Sequence, residues 1–179
     1  MLYDNQDVLQ YLDKEKGKLI HLYGEADAGR TLTVFSMALH ALQKERMPAY
    51  VIPNSMMVRY KDCPDLCPII IAKSVRTLVY SVRIMSNAAD IIFIDNFLQY
   101  ILHKPKKDIL AVFRTLQTTA LETDIIVVLV NDLRYLEAKG GYHPAYQEYF
   151  RKFCDSHIQV IKDANCDIGY EFVDRKALY

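Results

Sequence analysis

His21-Leu22-Tyr23-Gly24-Glu25-Ala26-Asp27-Ala28-Gly29-Arg30-Thr31 is the stretch on which the reading of this chain turns. It follows the phosphate-binding loop pattern of Gly, four residues, Gly, Lys and a hydroxyl residue, with one departure. Arg30 stands where the pattern has lysine, and Thr31 supplies the hydroxyl. Such a loop needs glycine at Gly24 and Gly29, so that consecutive amides of Glu25, Ala26, Asp27 and Ala28 turn inward around phosphate oxygens. A following helix adds its unpaired N–H groups and the positive end of its dipole. Thr31 would ligate magnesium. Arg30 keeps the positive charge, but a planar fork is not equivalent to a compact ammonium.

The flanks suit the motif. Lys18 to Tyr23 is a short apolar run that reads as a strand, and Leu32 to Arg46 reads as a helix. Leu32, Phe35, Ala38, Leu39 and Leu42 recur there at helical spacing and are expected to face the core. The alternative is an ordinary glycine turn entering a core helix.

Further along, short aliphatic runs alternate with amphipathic stretches. Ala49–Ile52, Pro68–Ala72, Ile91–Asp95 and Asp124–Asn131 read as strands buried on both faces, the signature of a parallel sheet covered by helices. Val75–Asn87 and Lys107–Glu122 read as helices between them, the latter with Ile109, Leu110, Phe113, Leu116 and Leu121 inward. Tyr146, Tyr149 and Phe150 predict one more helix packed on the sheet. Two alternating segments, His157–Lys162 and Ile168–Asp174, flank a turn-rich linker and predict a closing antiparallel hairpin. The expected fold is therefore α/β, a mainly parallel sheet flanked by helices, as a single domain over residues 1–179.

Composition narrows the function classes. The chain has 22 basic and 22 acidic side chains, so no global field draws it to nucleic acid and a local patch would be needed. No secretory or transmembrane segment is visible, which predicts a cytoplasmic protein, or a nuclear one in a eukaryote, without a membrane partner. Cys63 and Cys67 are spaced as a metal pair could be, but Cys154 and Cys166 are too far apart to complete a zinc ribbon. Free thiols in a reducing compartment are expected.

Asp95, ending the run Ile91-Ile92-Phe93-Ile94, fits a Walker B acid, which holds magnesium beside the phosphate loop. Its alternative is a strand-terminal residue capping the next turn. Taken in order, several segments resemble the core of the RecA/RadA recombinase superfamily, especially its shortened paralogues. Leu22–Thr31 resembles the family's phosphate loop, Ile92-Phe93-Ile94-Asp95-Asn96 its Walker B strand, and Val128-Leu129-Val130-Asn131-Asp132 the strand that senses the nucleotide. Gly140-Gly141-Tyr142-His143-Pro144 and the strand beyond it resemble the segment after the second DNA-binding loop.

The resemblance implies a RecA-like core with an ATP and Mg2+ site at Gly24–Thr31 and Asp95, and sensor-like positions at Asn131 and Asp132. The same resemblance exposes three departures. The loop lysine is Arg30. Pro53-Asn54-Ser55 stands where the family's catalytic glutamate follows the second strand. Asp132 replaces the sensor glutamine and puts a negative charge near the phosphates. With no general base, weak or absent hydrolysis is expected, and no residue is assigned a catalytic role. The family's extra DNA-binding domain and Phe-x-x-Ala polymerisation motif are not found. Gln6–Lys16 instead predicts an amphipathic helix, for the chain's own core or for a partner.

Two loops match the family's DNA contacts. One carries Lys104, Lys106 and Lys107; the other carries Arg134 and Lys139 with Tyr135, Tyr142 and His143. Cations with aromatics suit single-stranded DNA, although a charged turn also serves as a plain solvated surface. The function implied is an accessory recombinase paralogue in homologous recombination or DNA repair, working through single-stranded DNA or a recombinase partner in a hetero-oligomer. The alternatives are an active RecA- or KaiC-like ATPase, and a pseudo-ATPase scaffold touching neither ATP nor DNA.

Overall fold

Ala49–Ile52, Ile91–Asp95 and the run after Asp124 become central, buried strands, but Pro68–Ala72 does not: it forms the edge strand of the sheet, with Ile71 38% exposed, because nothing among the described residues pairs with its outer side. The structure, a computed structural model, describes residues 4–60, 67–136, 141–144, 146–163 and 165–173. In chain order it forms helix α1 (Asn5–Lys14), strand β1 (Lys18–Gly24), helix α2 (Arg30–Gln43) and strand β2 (Pro48–Ile52). A 3-10 helix (Asn54–Tyr60), β3 (Ile69–Ile71), α3 (Val75–Met85) and β4 (Ile91–Asp95) follow. Then come α4 (Leu98–Ile101), α5 (Lys106–Thr123), β5 (Ile126–Leu136), β6 (Gly141–Pro144), α6 (Gln147–Phe153), β7 (Ser156–Lys162) and β8 (Ile168–Phe172).

Seven strands share one sheet in the order β3-β2-β4-β5-β1-β7-β8, and β6 pairs only with the outer part of β5. Every neighbour in the seven is parallel except the closing hairpin β7–β8, where Val160 pairs with Tyr170. The expected α/β class, mainly parallel sheet and antiparallel end are all present.

Two cores sandwich the sheet. On one face α1 and α2 cover Ile20, Leu22, Phe93 and Val128; on the other α3, α5 and α6 cover Leu19, Ile92, Val127 and Leu129. This split follows from chain direction. From β1 the chain moves outward to β3, then reverses through β4 and β5, and right-handed crossovers send the connections to opposite faces. On the second face Phe113 and Phe150 meet edge to face at 5.0 Å, a geometry worth about 0.5–1.5 kcal/mol beyond its buried area. The aromatic stretch near residue 150 thus forms the helix expected of it, with Phe150 fully buried.

Helix α1 packs on the chain's own core: Val8, Leu9 and Leu12 are buried, and Asp4 and Asp7 close a capping box at its start. Helix α2 exists where expected, but it is rotated. Leu32 and Leu39 are 61% and 48% exposed; Ala38 faces inward as expected, with Phe35 and Leu42 packed partly buried beside it, but Thr33, Val34, Met37 and Ala41 fill the rest of the inner face. Its phase is set at the start, where Arg30 is drawn inward and Thr33 Oγ1 donates to the Gly29 carbonyl, 3.0 Å away. Leu121 of α5 also points out, because Leu116 and Ala120 take the sheet-facing positions one helical turn apart. No helix among the described residues is long and apolar enough to cross a membrane.

Candidate functional site

An open parallel sheet leaves a crevice where neighbouring strands send their chains to opposite faces, beyond the carboxyl ends. Here that point lies between β1 and β5. After Gly24 the chain turns toward α2 on one face, and after β5 it goes to α6 on the other. Gly24 and Asp132 are register partners at this point. On β4, the next strand, Asp95 pairs with Val130. Topology alone therefore brings the loop, Asp132 and Asp95 to one end of the sheet.

The loop makes a tight turn in which the Ala28 N–H donates to the Glu25 carbonyl at 3.2 Å. Asp27 and Gly29 take left-handed torsions, φ 62° and 89°. Gly29 is the N-cap of α2, and no side chain caps the helix. The two glycines do different work. Gly29 needs its torsion, and a Cβ there would also collide with the Ile168 side chain of β8. Gly24 needs room rather than an unusual torsion: a Cβ there would stand 2.6 Å from the Val160 carbonyl oxygen of β7.

Arg30 does not project toward the space in front of the loop. Its guanidinium is paired with the Asp132 carboxylate, the arginine side chain 10% and the aspartate side chain 40% exposed. Asn96 Nδ2 donates to the other Asp132 oxygen at 2.7 Å, so both carboxylate oxygens are engaged. The Leu98 N–H is accepted by Asn96 Oδ1 at 3.1 Å and by Asn131 Oδ1 at 3.0 Å. Asn131, expected as a sensor beside the nucleotide, thus anchors the first turn of α4; it is buried and makes no bond to the loop. Asp132 is the residue that reaches the loop. Asp95 is buried and accepts from the Tyr60 hydroxyl at 3.0 Å. Tyr100 lies near it, and burial first, then the Asp95 charge, push the Tyr100 phenol far above its ordinary range. Thr31 is half-buried in the first turn of α2.

Beside the loop is a cleft of about 400 Å³ between Glu25–Ala28 and the end of β7. Glu25, Asp27 and Asp163 line it against the single ammonium of Lys162. Such a wall repels a polyphosphate. The residues in this arrangement do not fit a magnesium-bound nucleoside triphosphate. The loop cation is held by an internal carboxylate, and the adjoining cleft carries a net negative charge. Among the described residues, no group of three or more His, Cys, Asp or Glu side chains is placed to hold a metal ion.

Lys104 is exposed on the turn from α4 to α5, and Lys106 and Lys107 are exposed in the first turn of α5. This turn is tied to α6, since the His103 N–H donates to the Tyr146 hydroxyl at 3.3 Å. Arg134 is described through its backbone alone, where it pairs with His143 between β5 and β6. Lys139 lies outside the described residues.

Three residues of the site escaped the sequence reading. Tyr60 and Asn96 hold the two aspartates, and Ile168 closes over Gly29. Tyr60 and Ile168 have no spacing relation to the loop, and only tertiary packing brings them to it. Asn96 follows Asp95 directly, but its bond to Asp132 depends on the pairing of β4 with β5.

No protein-family model matches the chain, and no curated protein is detectably similar to it in sequence.

Proposed function

We propose that this chain is a RecA-like core whose nucleotide site has become a structural ion pair. It acts as an accessory recombinase paralogue in homologous recombination or DNA repair, without turning over ATP. It contacts single-stranded DNA and a recombinase or paralogue partner, as one subunit of a hetero-oligomer.

The observation that carries this reading is the Arg30–Asp132 pair at the switch-point crevice. Two departures from the family pattern, an arginine for the loop lysine and an aspartate for the sensor glutamine, satisfy each other. Substitutions that pair internally describe a site retained for folding rather than for turnover. Loop, acid and sensor strands standing side by side in the order β4-β5-β1 support the RecA-like part of the reading. The lysines of the α4–α5 turn, exposed at the same end of the sheet, support the DNA part.

The test is ATP turnover and strand binding measured together on the purified chain. The expected result is no magnesium-dependent hydrolysis above background, with salt-sensitive binding of an oligo-dT strand that ATP leaves unchanged. Hydrolysis at a rate typical of active recombinases, abolished by Arg30→Ala, would establish the active-ATPase alternative. Absence of strand binding at low salt would leave the scaffold reading.

A further inference from the structure

The whole chain is electrically neutral, yet the outer surface of α3 and α5 is not. On α3, Arg76, Tyr80 and Arg83 are spaced i, i+4, i+7 and all are exposed, Tyr80 to 66%. That spacing puts them on one stripe, turned away from the buried Leu78 and Val82. On α5, Lys107 and Arg114 have the same spacing, with the small Ala111 between them and the buried Ile109, Phe113 and Leu116 opposite. Both helices pack on the same sheet face and on each other. Each leads from the carboxyl end of one parallel strand back to the start of the next, so they run side by side in the same direction. Two parallel cationic stripes result, on helices whose axes lie about 8–10 Å apart by ordinary packing. Along α3 the two arginines are separated by about 10 Å of helix rise.

Helix α3 carries no carboxylate, and on α5 the exposed Asp108 and Glu122 lie outside the 107-111-114 stripe, Asp108 beside Lys107 and Glu122 about two turns beyond Arg114. None of these four cations enters an ion pair among the described residues. The stripes begin at the sheet end where Lys104 and Lys106 stand, so the positive surface continues from the turn onto the helices.

We infer that the α3–α5 face is a track for single-stranded nucleic acid, in which Arg76, Arg83, Lys107 and Arg114 take phosphates and Tyr80 stacks on a base. The inference rests on the nucleic-acid part of the function proposed above and locates that contact on the helical face, beyond the turn. Charge complementarity selects a polyanion as the occupant. An exposed phenol between two arginines selects a strand with free base faces, because stacking needs a base not already paired in a duplex.

The experiment measures fluorescence anisotropy of labelled oligo-dT with the full chain across a salt series. Three variants are compared: Tyr80→Ala, Tyr80→Phe, and Arg76→Glu with Arg83→Glu. All three positions are exposed, and circular dichroism and melting verify that each variant is folded. Tyr80→Ala should weaken binding about tenfold, and Tyr80→Phe should leave it within about twofold. The double charge reversal should lower the slope of log K against log salt by at least about 1.4, at about 0.7 for each phosphate that is no longer neutralised. Wild-type binding that survives both Tyr80→Ala and the charge reversal would overturn the track and leave DNA binding at the turn intact. Absence of wild-type binding would overturn the track and the DNA part of the proposed function together. Tighter binding to duplex, to polyglutamate or to phosphatidylserine vesicles than to oligo-dT would also overturn it.

Discussion

Replacing Asp132 with Asn should free Arg30 to bind an anion at the loop. The change removes the charge that holds Arg30 but keeps the side-chain size and an acceptor for Asn96. A unit charge pair at about 4 Å near a protein surface interacts by about 4 kcal/mol before desolvation and screening. Asp132 is 40% exposed, so the net value is smaller, in the range of about 1.5–3 kcal/mol for a charged hydrogen bond. An incoming phosphate must displace this carboxylate. Removing the competitor should therefore tighten phosphate binding about 10- to 100-fold, at 1.4 kcal/mol per factor of ten. The same change leaves Arg30, only 9% exposed, without its carboxylate. Stability should fall by about 1–3 kcal/mol, or roughly 3–9 °C in Tm for a chain of this size. The assay is thermal melting in rising inorganic phosphate and in ATP without magnesium, with calorimetric titration for affinity. Ligand that binds only the folded state raises Tm by mass action. Asp132→Asn should gain Tm with phosphate where the wild type does not. The double variant Arg30→Ala, Asp132→Asn should lose that gain. Equal responses from wild type and Asp132→Asn would refute the idea that this pair closes the site, and an undiminished gain in the double variant would show that Arg30 is not involved.

Gly29→Ala should destabilise the chain by about 1–3 kcal/mol in denaturant titration, because Gly29 has φ 89° and Ile168 blocks the added Cβ. Adding Ile168→Ala should relieve the clash but not the torsional strain, so recovery should be partial. Acid should weaken the fold through His21, whose ring is buried, stacked 3.9 Å from Phe150, and has Nδ1 3.4 Å from His157 Nδ1. Burial, then the neighbouring His157, hold its pKa well below the ordinary 6.5. The unfolded chain binds the proton more readily, so stability should be full above about pH 6.5 and fall by up to about 1.4 kcal/mol per pH unit below it, until the folded-state pKa is reached. Chemical denaturation between pH 4 and 8 measures this, and His21→Phe should flatten the acid limb. Phe150→Ala should cost about 3–5 kcal/mol by the same measurement, since its fully buried ring touches both His21 and Phe113.

Much of the architecture was written in local pattern. Ile91–Asp95 and the run after Asp124 read as buried strands, because aliphatic residues without alternation suit cover on both faces, although the same pattern at Pro68–Ala72 gave an edge strand. The hairpin was readable from two alternating segments around a turn-rich linker. Helix faces were less legible. In α2 the apolar spacing pointed to Leu32 and Leu39, but the phase was decided by Arg30 and Thr33 at the N-terminus, whose partners Asp132 and Tyr170 lie more than a hundred residues away. A periodicity argument weighs hydrophobicity along one element and has no access to such distant partners.

From residue order alone it follows that a glycine loop joins a buried strand to a helix, that an acid ends another buried strand, and that the loop lysine is missing. Local composition and spacing are enough for those statements. The fate of the loop's positive charge was set by long-range packing. Sheet register sets Asp132 beside Gly24, at the crevice between β1 and β5, where Arg30 pairs with it. The pairing arises because two strands remote in sequence lie side by side, and an arginine drawn below the surface must find a carboxylate to offset its desolvation.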